Sequence, residues 1–360
     1  MHFFEANTMT STHWWHHAVA PLSTAARDKA QIHQDQLTKP QGSLGRLEQV
    51  AIHLAALQHR VKPQIEQPHM LVFAGDHGIV AQGVSAFPQS VTIAMLANFV
   101  QGGAAVATLC QHQGIALSVI NCGTATACEH LTHIHHQPIM PGTHDFSQQA
   151  AMSREQALQA LALGQAQVER VNAQGCDFLM LGEMGIGNTS AATCLSAVLL
   201  AKDVAALTGA GTGMTGAALS HKQQVLTASV ARARPHINSP LAALTELGGL
   251  EIAAIAGAYI RASQLGIPCL VDGFITTAAA LLAVQLNPSV RDWLLFAHHS
   301  AEQGHGVLLK ALAAQPLLHL DMRLGEGSGA AMAYATVQQA LVIHNQMATF
   351  TQAAVDNKHL

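Results

Sequence analysis

Five times along this chain a short apolar run stops at glycine, an acid, an amide or histidine, and a longer stretch with helical spacing follows. Residues 70–74 lead into Gly75-Asp76-His77-Gly78, residues 117–121 into Cys122-Gly123, and residues 178–181 into Gly182-Glu183-Met184-Gly185. Residues 269–271 lead into Asp272-Gly273-Phe274, and residues 293–296 into His298-His299-Ser300-Ala301-Glu302. Short apolar runs bounded by glycine read as buried strands. Their alternation with helices predicts an α/β fold, a parallel sheet covered by helices on both faces. Right-handed crossovers bring every strand's C-terminal end to one rim, where open α/β sheets bind ligands. The candidates for chemistry are therefore the residues that end the strands.

Helical patterns occupy residues 25–37, 44–59, 91–110, 153–173, 250–265 and 329–345, with another around 222–231. Ser153 and Gln156 form a capping-box start. The expected organisation is an N-terminal helical segment over 1–66, a Rossmann-like catalytic domain over 67–328, and a C-terminal helical segment over 329–360 that joins the first in a small domain. Ala and Gly are abundant and only 11% of residues are charged, which suits helices packed closely on a sheet. The net charge of −4 and the 4% aromatic content give no footprint for nucleic acid.

Six cysteines lie without CxxC spacing, so buried, reduced thiols are expected and no zinc or redox motif follows. Residues 1–23 lack the continuous apolar core of a signal peptide, and the apolar stretch 275–286 is too short to span a bilayer. A cytoplasmic protein without membrane insertion is the expectation. Histidines 130, 133, 135, 136 and 144 crowd a segment that also holds Pro138, Pro141 and Gly142. That segment reads as a connector rather than a metal site.

Among the strand ends and turns, Gly185-Ile186-Gly187-Asn188-Thr189-Ser190 joins a strand to a helix. Glycines there let backbone N–H groups approach an anion, and Thr189 and Ser190 add hydroxyls; a plain tight turn is the competing reading. Gly209-Ala210-Gly211-Thr212-Gly213 with Lys222 is a second candidate anion site, against which Lys222 reads as a solvated helix residue. Ser300 fits a phosphate donor, although an ordinary helix N-cap is favoured on sequence alone. Asp76 and His77 fit an acid/base or metal pair, or a loop cap, equally well. Glu326 stands between Gly325 and Gly327 after Arg323, ahead of a small-residue helix. A dry, glycine-lined setting raises a carboxylate's pKa and suits it to accept a proton near neutrality; a dipole-stabilised surface acid is the bland alternative.

The set formed by Lys39-Pro40-Gln41-Gly42-Ser43-Leu44-Gly45-Arg46-Leu47-Glu48, the strand-end motifs above, and Met322-Arg323-Leu324-Gly325-Glu326-Gly327-Ser328-Gly329 resembles the nicotinate-nucleotide–dimethylbenzimidazole phosphoribosyltransferase family along nearly the whole chain. The resemblance implies a Rossmann-like large domain, a small helical domain and a homodimer. It implies transfer of phosphoribose from nicotinate mononucleotide to 5,6-dimethylbenzimidazole in cobalamin nucleotide-loop assembly, without cofactor or metal. Glu326 then corresponds to the general base and Glu183 to an active-site carboxylate. The glycine loop, Lys222 and Ser300 correspond to the phosphate site, and Arg323 and Gly325 to further substrate contacts. Phe87 and Met95 stand where some members carry a polar pair in the base pocket. Asn121-Cys122-Gly123 replaces the common strand-end Asp-x-Gly. The alternatives are a phosphoribosyltransferase for another aromatic acceptor, and a non-catalytic nucleotide- or base-binding protein.

Overall fold

The computed structural model describes residues 13–211 and 213–356. Residues 1–12 of the expected N-terminal segment, Thr212 of the second glycine turn and residues 357–360 lie outside the described residues. Six parallel strands, β1 (Pro68–Gly75), β2 (Ala116–Gly123), β3 (Ile134–His136), β4 (Phe178–Met184), β5 (Cys269–Val271) and β6 (Leu294–Phe296), form one sheet in the order β3-β2-β1-β4-β5-β6. The order reverses between β1 and β4. At such a switch point the flanking connections diverge to opposite faces and open a crevice above the strand ends. The register pairs Ala74 with Met184 and Val271 with Phe296, so the predicted junctions share one rim.

The helices are, in chain order, α1 (Thr24–Gln36), α2 (Arg46–Leu57), α3 (Ser90–Val100), α4 (Ala105–Gln113), α5 (Arg154–Asn172), α6 (Asn188–Leu200) and α7 (Val204–Leu207). There follow α8 (Gly216–Ala233), α9 (Pro240–Leu247), α10 (Leu250–Leu265), α11 (Phe274–Leu286), α12 (His305–Ala311), α13 (Ser328–Gln346) and α14 (Phe350–Ala353). One core lies under α5, α6, α9, α10 and α11; the other joins the opposite sheet face to α2, α3, α4 and α13. Covered on both faces, β1 is buried over its whole length and is mostly apolar. The small residues permit backbone contact. A side chain at Gly164 of α5 would run into the Ala254 carbonyl, and one at Gly257 of α10 into the Leu161 carbonyl.

The two ends of the chain are tied together. Thr38 N–H donates to Ala348 O at 3.0 Å, and Gln34 Nε2 lies 2.8 Å from His344 Nδ1 while His344 Nε2 donates to Val61 O. Helix α13 also covers the sheet, with Tyr334 packed on Phe178.

The structure corrects four local expectations. The helix expected over 91–110 is two helices, because Gly102 takes a positive φ of 82° and a side chain at Gly103 would strike Asn98. Residues 90–113 are together long and apolar enough to span a membrane, and thus exceed the 275–286 stretch; the turn at Gly102-Gly103 divides them. The histidine-rich connector contains a strand, β3, because Ile134 pairs with Val119 and extends the sheet edge. Ser300 is not a helix N-cap: α12 begins at His305, behind Gly304. All six cysteines are buried and unpaired.

Candidate active site

The centre of the site is built by two chain segments that touch through glycine. Glu183 ends β4 and is buried. Its Oε1 accepts the backbone N–H of Glu326 at 3.2 Å, and its Oε2 accepts the side-chain amide of Asn188, the first residue of α6. That approach requires glycine at two places. A side chain at Gly182 would strike the Glu326 carbonyl, and a Cβ on Gly325 would stand 2.5 Å from Glu183 Oε1. Burial pushes the Glu183 carboxyl well above the usual range; the charges of Asp272 and Glu251 add to this and the two hydrogen bonds oppose it.

Glu326 itself has φ +66°, between Gly325 at +81° and Gly327 at +86°. A left-handed conformation costs a non-glycine residue about 1–2 kcal/mol, so the turn needs an external hold. Asp272, at the end of β5, provides it: its Oδ2 accepts from Gly327 N at 3.2 Å and its Oδ1 from Ala330 N at 2.7 Å. These are free donors of the first turn of α13, where the helix dipole also favours an anion. Burial pushes the Glu326 carboxyl up to about 7, and the Asp272 charge contributes to the rise. Glu326 is 8% exposed and faces a cavity of about 590 Å³. A group half-ionised near neutral pH, with an opening onto a ligand-sized space, can take a proton from what binds there.

At one end of that cavity the turn from β4 into α6 presents Gly185, Asn188 and Thr189. Gly187 caps α6 at φ +97°, and a Cβ on it would press on Val80 at 2.7 Å. Lys222, on α8, is buried and donates from Nζ to Thr189 Oγ1 at 3.2 Å, beneath Gly211. Burial lowers its pKa and the Glu302 charge opposes that. Ser300 and Arg323 face the same end; Arg323 Nη1 donates to Gly211 O at 3.4 Å. Ser300 Oγ accepts the Glu302 N–H at 3.3 Å, and Ser300 N–H donates to His305 Nδ1 at 2.8 Å. His305 thereby keeps its proton on Nε2, which donates to Thr277 Oγ1 at 3.0 Å. Burial holds this imidazole neutral, at a pKa of about 3. The combination of a helix N-terminus, an ammonium, a guanidinium and hydroxyls can hold a phosphate.

Apolar side chains also line the cavity: Phe87, Val91, Met95, Ile186, Phe274 and Leu324. Phe87 stands 49% exposed at the mouth.

Of the residues singled out in the sequence, Glu183, Glu326, Gly185, Asn188, Thr189, Ser300, Arg323, Gly325, Phe87 and Met95 line one cavity. Gly187, Ser190 and Lys222 stand behind its wall, and Ser190 Oγ is buried without a hydrogen-bond partner. Asp76 and His77 are not part of it. Asp76 accepts Thr92 Oγ1 at 2.6 Å and Ala125 N at 2.8 Å, and His77 Nε2 lies 2.8 Å from Glu251 Oε1 in a pair with no exposed side-chain surface. The loop-cap reading of Asp76 is the one its contacts support. Asn121 likewise caps its own turn, accepting from Gly123 N and Thr124 N. Among the described residues no three His, Cys, Asp or Glu side chains converge to hold a metal. The reading of single motifs missed His298, Phe274 and the anchoring role of Asp272. The first two lie in quoted strand-end segments, whereas the partner of Asp272 is 55 residues further along the chain.

Comparisons with known proteins identify the family. The family model described as "Phosphoribosyltransferase" (DBI_PRT) matches residues 19–355. The nicotinate-nucleotide–dimethylbenzimidazole phosphoribosyltransferase of Ectopseudomonas mendocina is 53% identical over 342 residues, which cover 95% of this chain and 97% of the relative. That of Azotobacter vinelandii is 51% identical over 343 residues, 95% of this chain and 97% of the relative. The crystal structure of CobT from Thermus thermophilus superposes with a TM-score of 0.88 at 42% identity, over 92% of this chain and 99% of that one.

Proposed function

The chain belongs to the nicotinate-nucleotide–dimethylbenzimidazole phosphoribosyltransferase family, and from that premise we propose that it moves the phosphoribosyl group of nicotinate mononucleotide to 5,6-dimethylbenzimidazole in cobalamin nucleotide-loop assembly. The 5′-phosphate sits at the Thr189, Lys222, Ser300 and Arg323 end, and the aromatic acceptor sits between Phe87 and Met95. The observation that carries this reading is the pair of buried glutamates, 183 and 326, that line one cavity together with phosphate-holding groups and apolar side chains.

The chemistry follows from charge. Nicotinate leaves from a pyridinium; the C1′–N pair goes to its ring nitrogen and neutralises the positive charge, so departure is favoured without prior activation. Positive charge develops on C1′, where the Glu183 carboxylate stabilises it. The cationic substrate favours the ionised form of that buried acid, offsetting the effect of burial. One acceptor nitrogen attacks C1′ from the opposite face while the N–H on its other nitrogen gives its proton to Glu326. Inversion turns the β-nucleotide into α-ribazole 5′-phosphate.

The test is to incubate the pure protein, in EDTA-containing buffer, with nicotinate mononucleotide and a panel of bases, and to identify products by mass. Formation of α-ribazole 5′-phosphate and one equivalent of nicotinate is expected. Ligand binding without either product would establish a binding protein, and preferential ribosylation of a purine or phenol would establish a different acceptor. We assign the chain to the cytoplasm and to a homodimer; sedimentation at twice the mass of 37.8 kDa is expected.

A further inference from the structure

We propose that the open pocket between the first two helices and β6, the last strand of the sheet, is a second ligand site, for a small phosphorylated anion. The pocket holds about 390 Å³ and shares no lining residue with the active-site cavity. It is at the small end of the roughly 300–1,000 Å³ range of small-molecule sites. Arg27 of α1, Arg46 and His53 of α2, and Arg291 just before β6 all face it.

No acid lines the pocket, and among the described residues none of the three guanidinium groups has a carboxylate within 4.0 Å. Only 17 lysines and arginines occur in 360 residues, so three gathered without acidic partners is a concentration the composition does not predict. Two of them are held in place by neutral groups. Arg291 donates to the carbonyls of Leu294, Leu312 and Ala313 and lies 5.0 Å over the Phe296 ring. Arg46 donates from Nη2 to Gln315 O at 2.8 Å. Carbonyls satisfy the N–H groups but leave the positive charge in place.

The charges act on one another. Burial lowers the Arg291 pKa; the neighbouring Asp292 opposes this, and the smaller effect of the nearby Arg46 adds to the lowering. Burial lowers His53, and Arg27 and Arg291 add to that effect; Asp292, whose backbone carbonyl accepts His53 Nε2–H at 2.8 Å, opposes it. An anion relieves this repulsion, and the planar fork of arginine matches the oxygens of a phosphate. The aliphatic and aromatic wall of Val50, Leu295 and Phe296 suits a flat ring carried on that phosphate, so a nucleotide-sized ester fits better than a bare ion. Because the walls come from α1 and α2 on one side and from β6 and the loop after α12 on the other, occupancy also stabilises the contact between them. None of this rests on the active-site reading.

The test uses the full chain, adenosine monophosphate and inorganic pyrophosphate as probes, and calorimetric titration with parallel thermal melts. Arg27 is exposed on the pocket rim, so Arg27→Glu reverses one charge without opening a core. Lys222→Met removes the active-site ammonium instead. We expect two equivalents of adenosine monophosphate per wild-type chain. One of them weakens at least tenfold in Arg27→Glu and persists in Lys222→Met, and the melting-temperature rise induced by the nucleotide shrinks in the former. Pyrophosphate bound at the Arg27-dependent site without the nucleotide supports an anion site and narrows its ligand to an inorganic polyphosphate. A single equivalent that disappears in Lys222→Met, or two equivalents untouched by Arg27→Glu in a protein that melts as wild type, overturns the proposal.

Discussion

Two neighbouring strand ends carry nearly the same signature and do different work. Gly75-Asp76-His77-Gly78 follows β1 and Gly182-Glu183-Met184-Gly185 ends β4, with Ala74 and Met184 paired in register. At the β1 end both Asp76 oxygens have internal donors and close two loops, and His77 is locked to Glu251 away from solvent. At the β4 end the acid is also held, but its holders are the Glu326 turn and Asn188, both of which line the cavity. The residue type is alike. What differs is whether the surrounding chain leaves open space beside the carboxylate, and that separates a scaffold acid from a reactive one.

Substitutions at the two ends break the comparison most directly. Glu326→Gln keeps the shape but cannot accept a proton, and loss of a general base costs about 10²–10⁴-fold in rate. Turnover should fall by that amount with nicotinate mononucleotide affinity nearly unchanged by calorimetry; wild-type rates would remove Glu326 from the role. Glu183→Gln deletes the charge facing C1′ and should lower kcat about 10²–10³-fold. Its counterpart on β1, Asp76→Asn, exchanges an acceptor for a donor against Thr92 Oγ1 or Ala125 N and should destabilise by about 1–3 kcal/mol. Its melting temperature should drop by several degrees while kcat stays within about tenfold of wild type. A reversed pattern, with kcat lost at Asp76 and stability lost at Glu183, would show that the assignment of the two ends is inverted.

Smaller effects sharpen the picture at the cavity. Phe87, Val91 and Met95 offer apolar contact without directional hydrogen bonding, and such pockets separate substrates that differ by a methyl group by about 1–3 kcal/mol. Benzimidazoles lacking one or both methyl groups should therefore turn over within roughly two orders of magnitude of the dimethyl compound. Steeper discrimination in kcat/KM would mean that a polar group reads the base.

The smallest expected effect is in pH. In the proposed mechanism the reactive form of Glu326 is the carboxylate, and burial holds the acid at about 7, so protonation would remove the base as pH falls through that value. The quantity kcat/KM should decline about tenfold per pH unit below neutrality and level off above it. Because Gln does not titrate, the Glu326→Gln variant should lack this limb; a limb that persists would assign it to another group.

Much of this protein was legible without coordinates. The alternation of short apolar runs with helical spacing predicted a parallel sheet, because strands buried on both faces must be apolar throughout and parallel neighbours need a crossover. The glycines around Glu326 marked a glycine-lined setting for the acid, and the structure shows in the Gly182 and Gly325 contacts why side chains are excluded there. Three kinds of information were not local. The β3 strand has only three residues and exists because β2 offers it an edge, which no periodicity within 134–136 encodes. The break in 91–110 depends on Gly102 turning left-handed inside an otherwise helical apolar pattern. The division of labour among Asp76, Glu183, Asp272 and Glu326 depends on which donors each oxygen meets, and the donors to Asp272 lie on a helix that starts 56 residues later. The sequence by itself determined the five strands other than β3, the rim and the kinds of side chain on it, since those follow from patterns repeating over a few residues. Only the tertiary structure decided which acids are satisfied and which face open space, because burial and long-range hydrogen bonding are properties of the packed chain.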